Sequence, residues 1–117
     1  LLQLRDKNPK IPYPNCWGTF GGYVEEGEST EQALKREIKE ELNYDAEGAE
    51  YFRNFKFGIY DIHVFRKVDG KVKLEGLKVN EGQKAGFFSF EKAKKLKFGF
   101  NAEEITKEYF KKFHNLK

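Results

Sequence analysis

Three carboxylates, Glu37, Glu40 and Glu41, stand close together in the run REIKEEL, and grouped carboxylates are the usual oxygen ligands of a hard divalent cation. At about 100° per residue they share one arc of a helix, beside an apolar stripe of Leu34, Ile38 and Leu42. Like charges at spacings of three and four repel by roughly a few tenths of a kcal/mol per pair in water, and by more where solvent is thin. A cation should therefore hold them. Arg36 is expected to point about 60° or more away from the three, toward a partner folding back from the preceding loop such as Glu28. Mg²⁺ is the better counter-charge, because it prefers carboxylate and water oxygens and is often shared with substrate phosphates. The competing account of the same residues is a solvated acidic face.

In full, the stretch is Gly22, five residues, Glu28, seven residues, then Arg36-Glu37-Ile38-Lys39-Glu40-Glu41-Leu42-Asn43-Tyr44. It resembles the Nudix box: Gly, five residues, Glu, seven residues, Arg-Glu, an aliphatic, any residue, Glu-Glu, any residue, Gly, then an aliphatic. Every charged position matches in type and spacing. Asn43 replaces the usual Gly and Tyr44 the closing aliphatic, both beyond the carboxylates. Asn is the next best residue after Gly for positive φ.

The resemblance implies an α/β fold, the Nudix α/β/α sandwich with a mixed β-sheet between helices, covering residues 1–117 as a single domain. It implies a Mg²⁺-dependent pyrophosphohydrolase, with Mn²⁺ as a substitute metal, held by Glu37, Glu40 and Glu41 and by the Gly21 carbonyl. Members of the MutT type carry a further glutamate about 40 residues past the box in a Glu-Gly-Gln context. Glu81, followed by Gly82 and Gln83, stands 40 residues past Glu41 and is expected as a metal ligand or base; an ordinary loop glutamate is the alternative. The general base is thus Glu81 or a box glutamate, while Arg36 and Glu28 brace the loop against the helix. Asn101 matches the residue that contacts the nucleobase in MutT-type enzymes, and also suits a helix cap with Glu104. Tyr60, 16 residues beyond Tyr44, matches a weak marker of dinucleoside polyphosphate hydrolases, although a tyrosine in a strand also suits the core. Arg5, ending the first strand, could reach a phosphate or lie on the surface. The expected substrate is a nucleoside triphosphate, oxidised or not, giving monophosphate and pyrophosphate. A dinucleoside polyphosphate or nucleotide sugar is the alternative, and a non-catalytic nucleotide-binding module is the alternative of another class. The partner is a small nucleotide, with no nucleic acid polymer and no membrane; monomer and homodimer both stay open.

Positioning falls to the elements around the box. Ser29 or Thr30 can cap the helix, with Gln32 as reciprocal partner, and Asn43 can end it. LLQLRD reads as a buried strand, Lys7 to Asn15 with all three prolines as a loop, and Gly21-Gly22 as a place where backbone approaches a ligand closely. Three strands follow, 49–57, 59–68 and 71–79, the last two joined by a tight hairpin at Asp69-Gly70. Glu81-Gly82 opens a flexible stretch before a strand from Gly86 to Phe90, then a short helical piece from Glu91 to Lys97. Ile105, Tyr109 and Phe113 form the buried stripe of a terminal helix. His63 falls on the wet face of its strand, and His114 suits a helix C-terminus.

With 117 residues, 16% of them aromatic and 12 of them Phe, the chain can fill one ring-rich core. The lone Cys16 excludes an internal disulfide and a cysteine zinc site, and no apolar run suits a membrane helix or signal peptide, so a cytoplasmic setting is expected. The chain begins at Leu1 without Met, as though an upstream segment were missing. Residues 1–66 hold 9 Lys/Arg and 12 Asp/Glu, residues 67–117 hold 13 Lys and 7 Asp/Glu. A basic second half would attract polyphosphate; a solvated lysine surface is the plainer account.

Overall fold

The apolar start of the chain forms the central strand of a small sheet. In the computed structural model, which describes residues 1–113, β1 (Leu2–Leu4) pairs antiparallel with β2 (Trp17–Gly18) on one side and β5 (Lys84–Gly86) on the other. Both pairings are antiparallel, and an isolated parallel bridge joins Trp17 to Phe98. His114 lies outside the described residues.

The described residues divide into two compact units, residues 1–19 with those from Glu81 onward, and Phe20–Asn80. In the first, Leu2, Cys16, Ala85 and Ala93 are buried together with Ala102 and Ile105 of the terminal helix α3 (Ala102–Phe113). Its ring packing is the kind a Phe-rich chain should give: Trp17 meets Phe88 edge-on at 4.9 Å, and Phe90 lies 5.3 Å from Phe110. The short helix α2 (Phe90–Ala93) starts where Ser89 Oγ accepts the Lys92 N–H. The expected strand at Gly86 to Phe90 therefore ends where it was to begin, because Lys84–Gly86 already carries the pairing with β1.

The second unit holds α1 (Thr30–Leu42) and a hairpin of β3 (Glu50–Phe57) and β4 (Tyr60–Arg66). Ser29 and Gln32 form both bonds of the capping box, and Asn43, at φ 52°, ends the helix in the left-handed conformation. A bulge between Tyr51 and Arg53 interrupts the pairing of β3 with β4. It lets Phe52 and Phe55, three apart, both turn inward, where strict alternation would send them to opposite faces.

Two expectations for this unit fail. The tight turn is at Gly58-Ile59, where Gly58 takes φ +63° between the paired Phe57 and Tyr60, and Asp69-Gly70 closes no hairpin. The strand over 71–79 does not form. Asp69 turns the chain by accepting the Lys71 N–H, and Leu74–Gly76 close into a single 3₁₀ turn. The amides of Lys78 and Asn80 are spent on the end of α1 instead of a neighbouring strand. Among the described residues, no helix is long and apolar enough to cross a membrane.

Candidate active site

The loop before α1 is folded onto the helix by one side chain. Arg36 donates from Nε to Glu28 Oε2 at 2.7 Å and from Nη2 to Glu28 Oε1 at 3.0 Å, the two-pronged geometry that a guanidinium makes best. Nη2 also donates to the Tyr23 carbonyl at 3.1 Å, and Glu28 Oε1 accepts the Glu25 N–H at 2.9 Å. Loop and helix are thus joined through a charge pair that is itself tied to main chain on the loop side. The Arg36 hydrogen bond holds the Glu28 carboxyl down at about 2, with the Glu25 amide adding to it, and the same two carboxylates, Glu28 and then Glu37, push the guanidinium up.

Arg36 also serves the carboxylates it was expected to miss. Its Nη1 donates to Glu37 Oε1 at 2.8 Å and lies 3.5 Å from Glu40 Oε2 and 3.7 Å from Glu25 Oε1. At helical spacing its Cβ stands about 60° off the arc, but the length of the side chain carries the guanidinium back. A side chain with four rotatable bonds can bend back across its neighbour, and the guanidinium edge then spans Glu37 and the residue one turn on.

The three box glutamates occupy different surroundings. Glu41 is 2% exposed, the Glu37 side chain 19% and the Glu40 side chain 60%. The expected stripe is shifted to match: Ala33 and Leu42 are buried with Glu41, while Leu34 and Ile38 are half-buried. Glu37 is held from above by the loop. A Cβ built on Gly22 would stand 2.3 Å from Glu37 Cδ and 2.5 Å from each of its oxygens, so only a glycine lets this carboxylate lie against the backbone. Gly21, at φ +149°, is exposed.

The end of α1 is secured with the same completeness. A helix leaves its last four carbonyls without partners, and here each has one. Asn43 N–H donates to Lys39, Asn80 Nδ2 to Glu40, the Asn80 N–H to Glu41 and the Lys78 N–H to Leu42, at 2.8–3.1 Å. Tyr44, just past the cap, donates its hydroxyl to Asp69 Oδ2 at 2.7 Å. Burial and this bond push the phenol up to about 12, and the same bond lowers Asp69. Nothing in the sequence near the box announces Asn80, Asp69 or Glu25 as participants.

Tyr60 is exposed rather than in the core; its ring lies 6.1 Å from that of Tyr23, which is also exposed. Arg5, Glu81 and Asn101 belong to the first unit. Arg5 Nε donates to the Pro12 carbonyl at 3.0 Å, and its guanidinium lies 5.0 Å over the Phe100 ring. The Glu81-Gly82-Gln83 segment, expected to be flexible, is bound to the end of β1. Gln3 Nε2 donates to the Glu81 carbonyl, the Gln83 N–H to Leu4, and Gln83 Nε2 to the Arg5 carbonyl. The Asn101 carbonyl accepts the Ile105 N–H, and its buried Nδ2 has no hydrogen-bond partner among the described residues.

Among the described residues, no three His, Cys, Asp or Glu side chains are gathered as a ready metal-ligand group. In chemical type the donors do fit a hard cation: three carboxylates on one helical arc, one cradled by a glycine backbone and one buried. In this arrangement Arg36 is the counter-charge of two of them.

An α/β chain in which a glycine loop is clamped by Arg-Glu onto a carboxylate-bearing helix has the make-up of a Nudix domain. The chain belongs to that family, since the model for the NUDIX domain matches residues 1–109. It is similar to an oxidized purine nucleoside triphosphate hydrolase of Danio rerio, 38% identical over 56 residues that make up 43% of this chain and 36% of that protein. It is also similar to the NAD-capped RNA hydrolase NudC of Stutzerimonas stutzeri strain A1501, 45% identical over 48 residues, 41% of this chain and 17% of that protein. In both cases the shared stretch is well under two thirds of the relative's length.

Proposed function

We propose that the protein is a divalent-metal-dependent hydrolase that cleaves the phosphoanhydride bond of a nucleoside diphosphate linked to another group, with a nucleoside triphosphate, oxidised or not, as first candidate. The observation that carries this reading is the clamp itself: Arg36 and Glu28 fix the loop so that Gly22 cradles the Glu37 carboxylate on the helix that bears Glu40 and Glu41. Such a brace serves a site whose carboxylates must stand in set positions. A solvated acidic face would not require it. The name of the Danio rerio relative supports the choice of an oxidised purine nucleotide within the class.

Glu37, Glu40 and Glu41, with the Gly21 carbonyl, would hold Mg²⁺ or Mn²⁺, which supplies charge neutralisation of the phosphate oxygens and a water activated for attack. In the hydrolysis the water oxygen bonds to phosphorus, the bridging P–O bond breaks, and pyrophosphate departs with the bridging oxygen. The water's proton passes to a carboxylate, either a box glutamate or Glu81. Asn101, whose buried Nδ2 has no hydrogen-bond partner among the described residues, suits recognition of the base, and Arg5 suits a phosphate. The single, buried Cys16 goes with a cytoplasmic setting.

A second reading is favoured by Tyr23 and Tyr60, exposed aromatic rings in contact beside the clamp. Such a pair could stack a second base, as a dinucleoside polyphosphate would present. Purified protein with Mg²⁺ is to be assayed against canonical and oxidised triphosphates, diadenosine polyphosphates, nucleotide sugars, ADP-ribose, NAD and NAD-capped RNA. Release of monophosphate and pyrophosphate from a triphosphate supports the first reading, and preference for a two-base substrate the second. Tight binding of one ligand with no hydrolysis anywhere would overturn both in favour of a non-catalytic nucleotide-binding module.

A further inference from the structure

We propose that Asn80 is a positioning residue for the carboxylates of the last turn of α1, acting through main chain. It binds the carbonyls of the two residues whose side chains the site uses: Nδ2 donates to Glu40 O at 2.8 Å and the backbone N–H to Glu41 O at 2.8 Å. One residue thereby closes two of the four open carbonyls at this helix end from 40 positions away in sequence. The geometry demands a side-chain donor three carbons from the residue's own amide nitrogen. Asparagine provides this, aspartate would set a charged oxygen against the Glu40 carbonyl, and alanine would leave that carbonyl to water.

The consequence falls on side-chain direction. Glu40 and Glu41 lie in the final turn, where helices fray, and Asn43 ties down only Lys39. Without Asn80 the turn can open at Glu40, and both carboxylates swing with their Cα atoms. Glu41 is the more sensitive, because its side chain is buried. Partners behind ligating residues typically change metal affinity by about 10- to 100-fold when removed.

The metal-affinity part of this inference rests on the function proposed above; the hold on the helix end does not. Asn80→Ala and Asn80→Asp are to be compared with Ser29→Ala, which removes the cap at the opposite end of the same helix. Mn²⁺ affinity is read by electron paramagnetic resonance, protection of the amides of residues 41–43 by hydrogen exchange, and stability by thermal unfolding. Asn80→Ala is expected to weaken Mn²⁺ binding about 10-fold, to speed exchange at 41–43, and to lower kcat with little change in KM. Asn80→Asp should do at least as much. Ser29→Ala should lower the unfolding temperature comparably while keeping wild-type Mn²⁺ affinity. Wild-type affinity and protection in Asn80→Ala, or an equal loss of affinity in Ser29→Ala, would overturn the proposal. If the wild-type protein itself binds no Mn²⁺, the metal reading fails, and the exchange rates alone decide whether Asn80 holds the turn.

Discussion

The Glu37 carboxylate occupies the space in which residue 22 would carry its Cβ, with Cδ 2.3 Å from that position. Gly22 does not take positive φ, unlike its neighbour Gly21, so an alanine there meets the carboxylate without straining its own backbone. The expected outcome of Gly22→Ala is a displaced Glu37 in a folded protein. Turnover should fall about 10²-fold, the scale of an ångström-sized misplacement, with an unchanged circular dichroism spectrum. Wild-type turnover would show that the close approach is incidental.

Glu41 is the box carboxylate with the least room to be replaced in function by solvent. Glu41→Gln keeps shape and removes charge, so the helix should persist while the proposed hydrolysis drops by about 10²-fold or more. A near wild-type rate in a steady-state assay would remove Glu41 from the site.

What the sequence disclosed and what it hid divide along a physical line. The box, its cap pair Ser29 and Gln32, the left-handed Asn43 and the Arg36–Glu28 pair are local: their partners lie within about two helical turns or one loop, and spacing alone specifies them. The bonds that finish the site are not local. Asn80 reaches Glu40, and Tyr44 reaches Asp69 across the hairpin, and neither carries a signature in residue type. The alternating Val and Leu of 71–79 predict a strand, but its amides turn back on nearby residues or, at Lys78, go to the end of α1, a choice that overrides propensity. The reach of Arg36 to Glu37 is hidden for a different reason, since helical angles locate Cβ atoms and say little of a long side chain's end.

Arg36 and Glu28 also make an acid-sensitive joint. Glu28 is held at about 2 against an ordinary 4.5, so the fold favours its ionised form. That contribution is complete above pH 4.5 and disappears as pH falls from there to about 2. Arg36→Lys keeps a charge but loses the fork, and Glu28 should return toward its ordinary value. Urea midpoints measured across acid pH should show the variant less stable at neutrality, with its gap to wild type closing between pH 4.5 and about 2. A gap that stays constant over this range would dissociate Glu28 ionisation from stability.

Gly82 turns the Glu81-Gly82-Gln83 segment onto β1 at φ +75°, with a Cβ there falling 2.6 Å from the Leu4 carbonyl. Both the left-handed backbone and the collision with main chain oppose a side chain. Gly82→Ala should cost about 1–3 kcal/mol in equilibrium unfolding, and unaltered stability would mean that the segment is not held as described.

Tyr44 stands where the family pattern has an aliphatic, and its hydroxyl makes the substitution consequential. Burial, and then the bond to Asp69, raise the phenol to about 12 from 10, so the fold favours the neutral hydroxyl. The stabilisation is complete below pH 10 and is lost as pH rises from 10 through about 12, where the native state at last ionises. At the acid end the same bond lowers Asp69 from 3.8, and that share is present above pH 3.8 and lost below it. Tyr44→Phe removes both. Its deficit in stability relative to wild type should therefore be largest between pH 3.8 and 10 and should shrink toward either side. Ultraviolet titration offers an independent reading, because one of the six tyrosines should ionise late, near pH 12, in the wild-type protein and be missing from the variant's curve. If no tyrosine ionises late, the Tyr44–Asp69 bond is not a standing feature in solution.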